Sequence, residues 1–434
     1  MKIKANISQI PLYIRIASIS WITRIITSII GVINIRILIS CLGMELYAGF
    51  VIITSLSGWF SLFDFGISTS LQNFISEQKA KNESYNNYLN ASLILLLIIF
   101  FISIILLFAI SNKLQLFLFK SITLSNASSK YMVLIIGLIY IITTLCSVAY
   151  KVYYAEQKGH LANLYPTYGV IISFIGLIII NNVPSLKSNL TLALIIFTVP
   201  PLFSAIYAFY DVFFKKNTIS IISIKLNILK SLFRRSYKFA GLAFFAATVL
   251  QIDYIVMSRI LNPFDITLYN IISKVFFLLY FVYSAILMAL WPNCTEFLSQ
   301  KKWGKANKIL KTHIALGTII IIIGTIAFIL TRQIIISILA PGENFIISTS
   351  TILLFGVLNI LRVWTDTYAV MLQSISQIKI FWIFIPIQGL ISFLGQYYCG
   401  LHFGINGIVI GLIISFLLTS VWILPKSFNT IAKQ

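Results

Sequence analysis

Long apolar runs alternate with short polar or charged breaks along the whole chain. Each run approaches or exceeds the roughly 20 residues that an α-helix needs to cross the hydrocarbon core of a bilayer. The pattern predicts twelve helices, at approximately 17–40, 46–71, 88–110, 131–154, 163–181, 189–213, 238–260, 267–291, 313–331, 346–371, 379–399 and 405–424. Most breaks are under twenty residues, so they leave no room for a soluble domain. The longest, from Phe214 to Tyr237, falls after the sixth run and divides the chain into 1–215 and 216–434. The first run is too long for the core of a secretory signal and has no clear small-residue cleavage site, so it reads as a retained first helix.

Composition agrees with that pattern. Of 434 residues, 59% are hydrophobic and only 10% are charged, and the mean hydropathy is +0.97. An ordinary soluble enzyme and a disordered chain are both excluded. A membrane β-barrel would show short alternation in place of long apolar runs. The four cysteines, Cys41, Cys146, Cys294 and Cys399, are far apart and form no metal-ligand spacing.

The net charge of +21 would suggest nucleic acid in a soluble protein, and its placement decides otherwise. With the N-terminus inside and alternating spans, 22 of the 32 Lys and Arg fall on inner segments. Only Lys113, Lys120, Lys130, Lys187 and Arg332 fall on outer ones. This asymmetry places both termini in the cytoplasm and sets the basic breaks against anionic lipid head groups. No nucleic-acid partner is expected.

The halves match weakly at an offset near 220: Asn73 with Asn293, Pro166 with Pro386, Gly169 with Gly389, and Gly176 with Gly395. Six helices per half make the repeat parallel, with an axis along the membrane normal, as in many transporters.

Leu42-Gly43 opens a stretch that runs through Phe60-Ser61-Leu62-Phe63-Asp64-Phe65-Gly66 to Lys81. It resembles the start of bacterial polysaccharide flippases of the Wzx type, whose second helix carries an F-S-L-x-D-x-G motif. Tyr47-Ala48-Gly49 departs from that family's Tyr-Gly. Asp253, Tyr269, Trp291-Pro292-Asn293 with Glu296, and Phe403-Gly404-Ile405-Asn406-Gly407 extend the resemblance over almost the whole chain. It covers the MOP superfamily, which also holds multidrug (MATE) antiporters and lipid II flippases. The Ile- and Asn-rich composition looks like that of an O-antigen flippase.

The fold the resemblance implies is all-α. It is a polytopic membrane protein with twelve transmembrane helices in two parallel-repeat, six-helix, MATE-like lobes around a central cavity. The lobes would be 1–215 and 216–434. The implied function is translocation of an undecaprenyl-diphosphate-linked oligosaccharide, the O-antigen repeat unit, across the inner membrane by alternating access. Membrane lipids, an O-antigen polymerase and a chain-length regulator are the implied partners.

Charge inside a membrane costs about 2.5–3.5 kcal/mol on insertion scales, so the charged residues within the runs are the candidate site. Arg24, Asp64 and Lys274 are candidates for substrate binding, because Arg and Lys suit a diphosphate. Asp253 is the candidate for coupling to a proton or sodium ion. Counting about 1.5 Å per residue puts Arg24 level with Asp64, and Asp253 level with Lys274, which predicts an inner and an outer ion pair. Arg259, Arg362 and Asp366 are secondary: Arg259 lies near an interface, and Arg362 and Asp366 can satisfy each other at i,i+4. No catalytic or metal residues are expected.

Two other readings stay open at this point. One is a cation-coupled MATE-type drug antiporter or another polysaccharide or lipid II exporter. The other is a membrane-embedded O-antigen polymerase or ligase, against which the short outer breaks argue.

Overall fold

A computed structural model describes residues 12–120, 122, 126–215, 226–300, 302–342, 345–374 and 379–432. Helix covers nearly all of them, with no β-strand among the described residues. Two compact units are present. The first comprises Met1–Phe119 and Thr123–Ala243, the second Lys120–Ile122 and Phe244–Gln434.

The first unit begins with α1 (Leu12–Ser55), followed by α2 (Ser57–Phe60) and a tight 3-10 turn over Ser61–Asp64. Then come α3 (Ile67–Ala80), α4 (Asn86–Leu118), α5 (Asn126–Cys146), α6 (Val148–Ala155), α7 (Gly159–Asn182) and α8 (Leu190–Tyr210). Helix α9 (Leu226–Leu250) closes this unit and opens the second, since the boundary lies between Ala243 and Phe244. The second unit continues with α10 (Asp253–Ile260), α11 (Pro263–Ser299), α12 (Trp303–Leu339), α13 (Thr349–Ser374), α14 (Lys379–Leu418) and α15 (Ser420–Ala432).

Among the described residues, nine helical stretches are long and apolar enough to cross a membrane. Helices α9 and α10, bent by 42°, make a tenth if they form one span. The expected twelve are not counted this way. The predicted pairs 17–40/46–71 and 379–399/405–424 each lie in a single stretch, Ser18–Asp64 and Lys379–Ile431. One non-helical glycine breaks the helix in each. Gly43 stands at φ 71°, ψ 174° and Gly404 at φ 57°, ψ −133°, regions open essentially to glycine alone.

Helix contacts within each unit rest on small residues and proline. In the first, α7 packs against both α1 and α8. Pro201 in α8 has no N–H for the Phe197 carbonyl, four residues back. The buried Ser173 of α7 donates its hydroxyl to that carbonyl at 3.0 Å. A freed backbone group inside the apolar layer is thereby satisfied across the helix pair. Gly169 makes the approach possible, since a Cβ there would lie 2.7 Å from the Pro201 Cα.

In the second unit, α11, α12 and α13 enclose the fully buried Tyr283, with Leu287, Ile321, Val363 and Val370 around it. Its ring sits where a side chain on Gly317 would be, 2.4 Å from the ideal Cβ. The two limbs of α14 fold back on each other at Gly404. Gly407 and Gly411 on one limb meet Gly395, Cys399 and Gly400 on the other. A Cβ on Gly407 would lie 1.9 Å from the Cys399 carbonyl oxygen, and one on Gly411 would lie 2.2 Å from the Gln396 nitrogen. Such small-residue seams let helices gain dispersion contact where lipid supplies no hydrophobic drive.

Candidate functional site

The F-S-L-x-D-x-G segment is a helix break with a defined chemistry. Phe65 (φ 49°) and Gly66 (φ 73°) are both left-handed, so the chain turns sharply between the 3-10 turn and α3. The freed donors at the start of α3 need an acceptor, and Asp64 supplies it. Its Oδ1 accepts from the Gly66 N–H at 2.8 Å, and its Oδ2 accepts from the Ser68 hydroxyl. Gly66 is also a contact point for α9. A Cβ would fall 2.5 Å from the Ser236 carbonyl oxygen and 2.8 Å from the Ala240 nitrogen.

The structure does not form the expected inner pair. Arg24 is exposed on α1, and no ion pair involving it occurs among the described residues. Asp64 is held by neutral donors at its own turn. The outer pair is absent as well. Lys274 is exposed on α11 with no ion pair among the described residues, while Asp253 at the start of α10 accepts from the Tyr269 hydroxyl at 2.9 Å and the Tyr254 N–H at 2.9 Å. In both cases a nearby hydroxyl and a free helix-terminal N–H outcompete a long cationic side chain. The neutral donors are already fixed in place, whereas Lys or Arg would lose rotamer freedom.

Arg362 and Asp366 do meet, as their i,i+4 spacing predicts, at 4.0 Å between Nε and Oδ2. Tyr280 of α11 completes the group. Its hydroxyl donates to Asp366 Oδ2, and its ring lies under the Arg362 guanidinium at 4.1 Å. Sequence reading missed Tyr280, because an aromatic in an apolar run carries no signal of its polar end. The neighbouring Tyr283 hydroxyl pairs with Thr367. On the other side, Tyr254 accepts from Asn270 at 2.7 Å. The second unit thus holds two carboxylate–tyrosine pairs, Asp253 with Tyr269 and Asp366 with Tyr280. Arg259 is exposed in the last turn of α10.

Arg362→Gln is expected to destabilise the protein by about 1–2 kcal/mol. Roughly a third of each side chain is exposed, so screening keeps the loss below that of a fully buried pair. Adding Asp366→Asn should recover most of it, since a carboxamide oxygen still accepts from Tyr280. Thermal melting of the two single variants and the double one checks this. Losses that simply add would show the groups to be uncoupled.

The first unit holds a carboxylate that was not singled out. Asp211, just beyond α8, is buried and accepts from the fully buried Tyr153 at 2.7 Å. The Tyr165 ring lies tilted between Tyr153 and Tyr207, with centroids 5.9 and 5.4 Å away. At the same end, Tyr85 donates to Glu156 at 2.9 Å, and Lys158 pairs with Glu156 at 2.6 Å. Burial, then the hydrogen bond to Glu156, pushes the Tyr85 phenol up to about 12. Arg235 of α9 bonds Glu77 of α3 at 2.8 Å and covers the Phe74 ring at 4.8 Å. The side chains of Trp291, Pro292, Asn293 and Glu296 lie outside the described ones.

No family model matches the chain. It is 35% identical over 434 residues to a protein of Yersinia pseudotuberculosis named for O-antigen export, with 97% of both chains covered. It is 36% identical over 433 residues to one of Salmonella typhi named as an O-antigen transporter, with 99% of both covered. Among solved structures it is similar to the lipid II flippase MurJ in an inward closed conformation. There the TM-score is 0.70 at 16% identity, covering 97% of this chain and 90% of that one. A MATE transporter gives a TM-score of 0.66 at 14% identity, with 96% of each covered. At these identities the solved structures show a shared fold.

Proposed function

The chain belongs to the family of bacterial O-antigen transporters, and on that premise we propose that it is a flippase for an undecaprenyl-diphosphate-linked oligosaccharide. The O-antigen repeat unit is the cargo. The lipid tail stays in the bilayer while the glycan and its diphosphate cross with alternating access of the lobes 1–215 and 216–434. The membrane is the inner one, both termini are cytoplasmic, and the polymerase and chain-length regulator act next.

One observation carries this reading among the site residues. The carboxylates Asp64 and Asp253 are held by hydroxyl and backbone donors, which leaves the cations Arg24 and Lys274 without ion pairs among the described residues. An uncompensated cation at membrane depth is costly and suits an anionic cargo. A guanidinium can grip two phosphate oxygens at once, and the ammonium acts as a point charge. Carrying negative charge outward also gains about 2.3 kcal/mol per charge per 100 mV of inside-negative potential. Asp253, tied to Tyr269, is the position for a coupling proton or sodium ion.

Arg24→Gln and Lys274→Gln should each slow appearance of the lipid-linked glycan in the outer leaflet by about tenfold, at unchanged protein level. Leaflet-specific labelling in cells carrying each variant reads this directly. Wild-type rates in both variants would remove these residues from the site. Outer-leaflet glycan that persists after deletion of the whole gene would remove the flippase reading itself.

A further inference from the structure

Helix α9 starts with a strongly basic segment, and the structure sorts its cations by face. Arg235 turns inward to Glu77 and the Phe74 ring. Lys230, Arg234 and Lys238 are exposed, with no ion pair among the described residues. Their i, i+4, i+8 spacing draws them into one slowly winding row. Phe233 and Tyr237, also i,i+4, run alongside with 54% and 51% of their surface exposed. On the far face Leu232 and Ser236 are buried in the first unit.

The row stands at the basic end of this unit. The Arg235–Glu77 contact places it beside the end of α3, which carries Lys79 and Lys81. From there the same helix runs on to Leu250 through an apolar segment that, taken with α10, is long and apolar enough for one bent span. With that span in the membrane, the row climbs from its aqueous end toward the bilayer. Aromatic rings beside cations are the side chains that settle at a lipid head-group layer. Successive cations are about 6 Å apart along the axis, close enough for two to hold one diphosphate. A diphosphate carries more charge than a single phospholipid phosphodiester, so a row of cations favours it over bulk lipid.

We propose that this exposed face of α9 is a docking site for the diphosphate head group of the lipid-linked substrate, engaged before the substrate reaches Arg24 and Lys274. The identity of that ligand rests on the flippase reading above. The isoprenoid tail lies against Phe233 and Tyr237 in the bilayer, and Lys230, Arg234 and Lys238 take the diphosphate. The site gathers substrate from the inner leaflet and takes no part in its passage.

The test uses the full-length protein in phosphatidylethanolamine nanodiscs, titrated with a long-chain polyprenyl diphosphate and, separately, with phosphatidylglycerol. Bound lipid is counted by native mass spectrometry. The K230Q/R234Q/K238Q variant should bind the diphosphate about tenfold more weakly and phosphatidylglycerol about equally well. The R234K variant, which keeps the charge, should bind close to wild type, and equal melting temperatures show that all three are folded. Unchanged diphosphate binding in the triple variant, absence of saturable diphosphate binding to wild type, or an equal loss of phosphatidylglycerol overturns the proposal. The last result would make the row a general anionic-lipid contact. Leaflet labelling with wild-type protein is scored separately. Loss of diphosphate binding in the triple variant beside a wild type that moves no glycan would keep the site and remove the flippase reading.

Discussion

Gly407→Ala is expected to cost about 4 kcal/mol of stability and to leave little folded protein in the membrane. The added methyl group would sit 1.9 Å from the Cys399 carbonyl oxygen and 2.7 Å from the Gly400 nitrogen. Both are backbone atoms, so no side chain can rotate away. The two limbs of α14 would have to separate, and the contacts at Gly395 and Gly411 would open with them. Gly404→Ala is the internal control. Its position is strained for any side chain, yet it has nothing within 4 Å, so only the backbone cost of about 1–3 kcal/mol applies. Melting of the purified proteins in detergent ranks the two. If Gly407→Ala melts as high as Gly404→Ala, the seam is not tight enough to matter.

Gly66→Ala should be nearly as damaging, at about 3 kcal/mol, for two reasons that add. A left-handed residue with a Cβ costs about 1–2 kcal/mol, and overpacking against the Ser236 carbonyl and the Ala240 nitrogen costs about as much again. Gly43→Ala separates the terms, because Gly43 has a positive φ and open space. The expected signature of Gly66→Ala is loss of the α3–α9 contact: a cysteine pair placed at Glu77 and Arg235 should crosslink more slowly in the variant. An unchanged crosslinking rate with unchanged melting would contradict this account of the motif.

The apolar runs were legible because each must be long enough to span a bilayer, and a helix is the structure that satisfies its own backbone there. What they hid was direction. Leu42-Gly43 and Phe403-Gly404 read as breaks, and a non-helical glycine does break the helix at each, but the runs carry no signal of how the limbs then lie. Depth counting misled the ion pairing for a related reason. A rise per residue gives height along a helix but no direction around it, and the left-handed Phe65 and Gly66 deliver Asp64 to its own turn. Arg362 and Asp366 were legible because spacing alone brings them together. Tyr280, Tyr269 and Tyr153 were not, since the polar end of a buried tyrosine is visible only once the partner helix is placed. Asp211 stood among charges at a predicted helix end, where an exposed carboxylate is the ordinary case.

The bend at Gly404 bears on how the chain enters a membrane. Gly407 meets Cys399 and Gly400 only seven or eight residues away, so closing the two limbs of α14 sacrifices little chain entropy. The limbs can therefore leave the insertion machinery as a finished hairpin, with the glycine seam assembled before α15 is synthesised. Lengthening the bend with a flexible insert would leave each limb as apolar as before. It would delay their pairing, and the exposed glycine faces would be open to capture by other helices during synthesis.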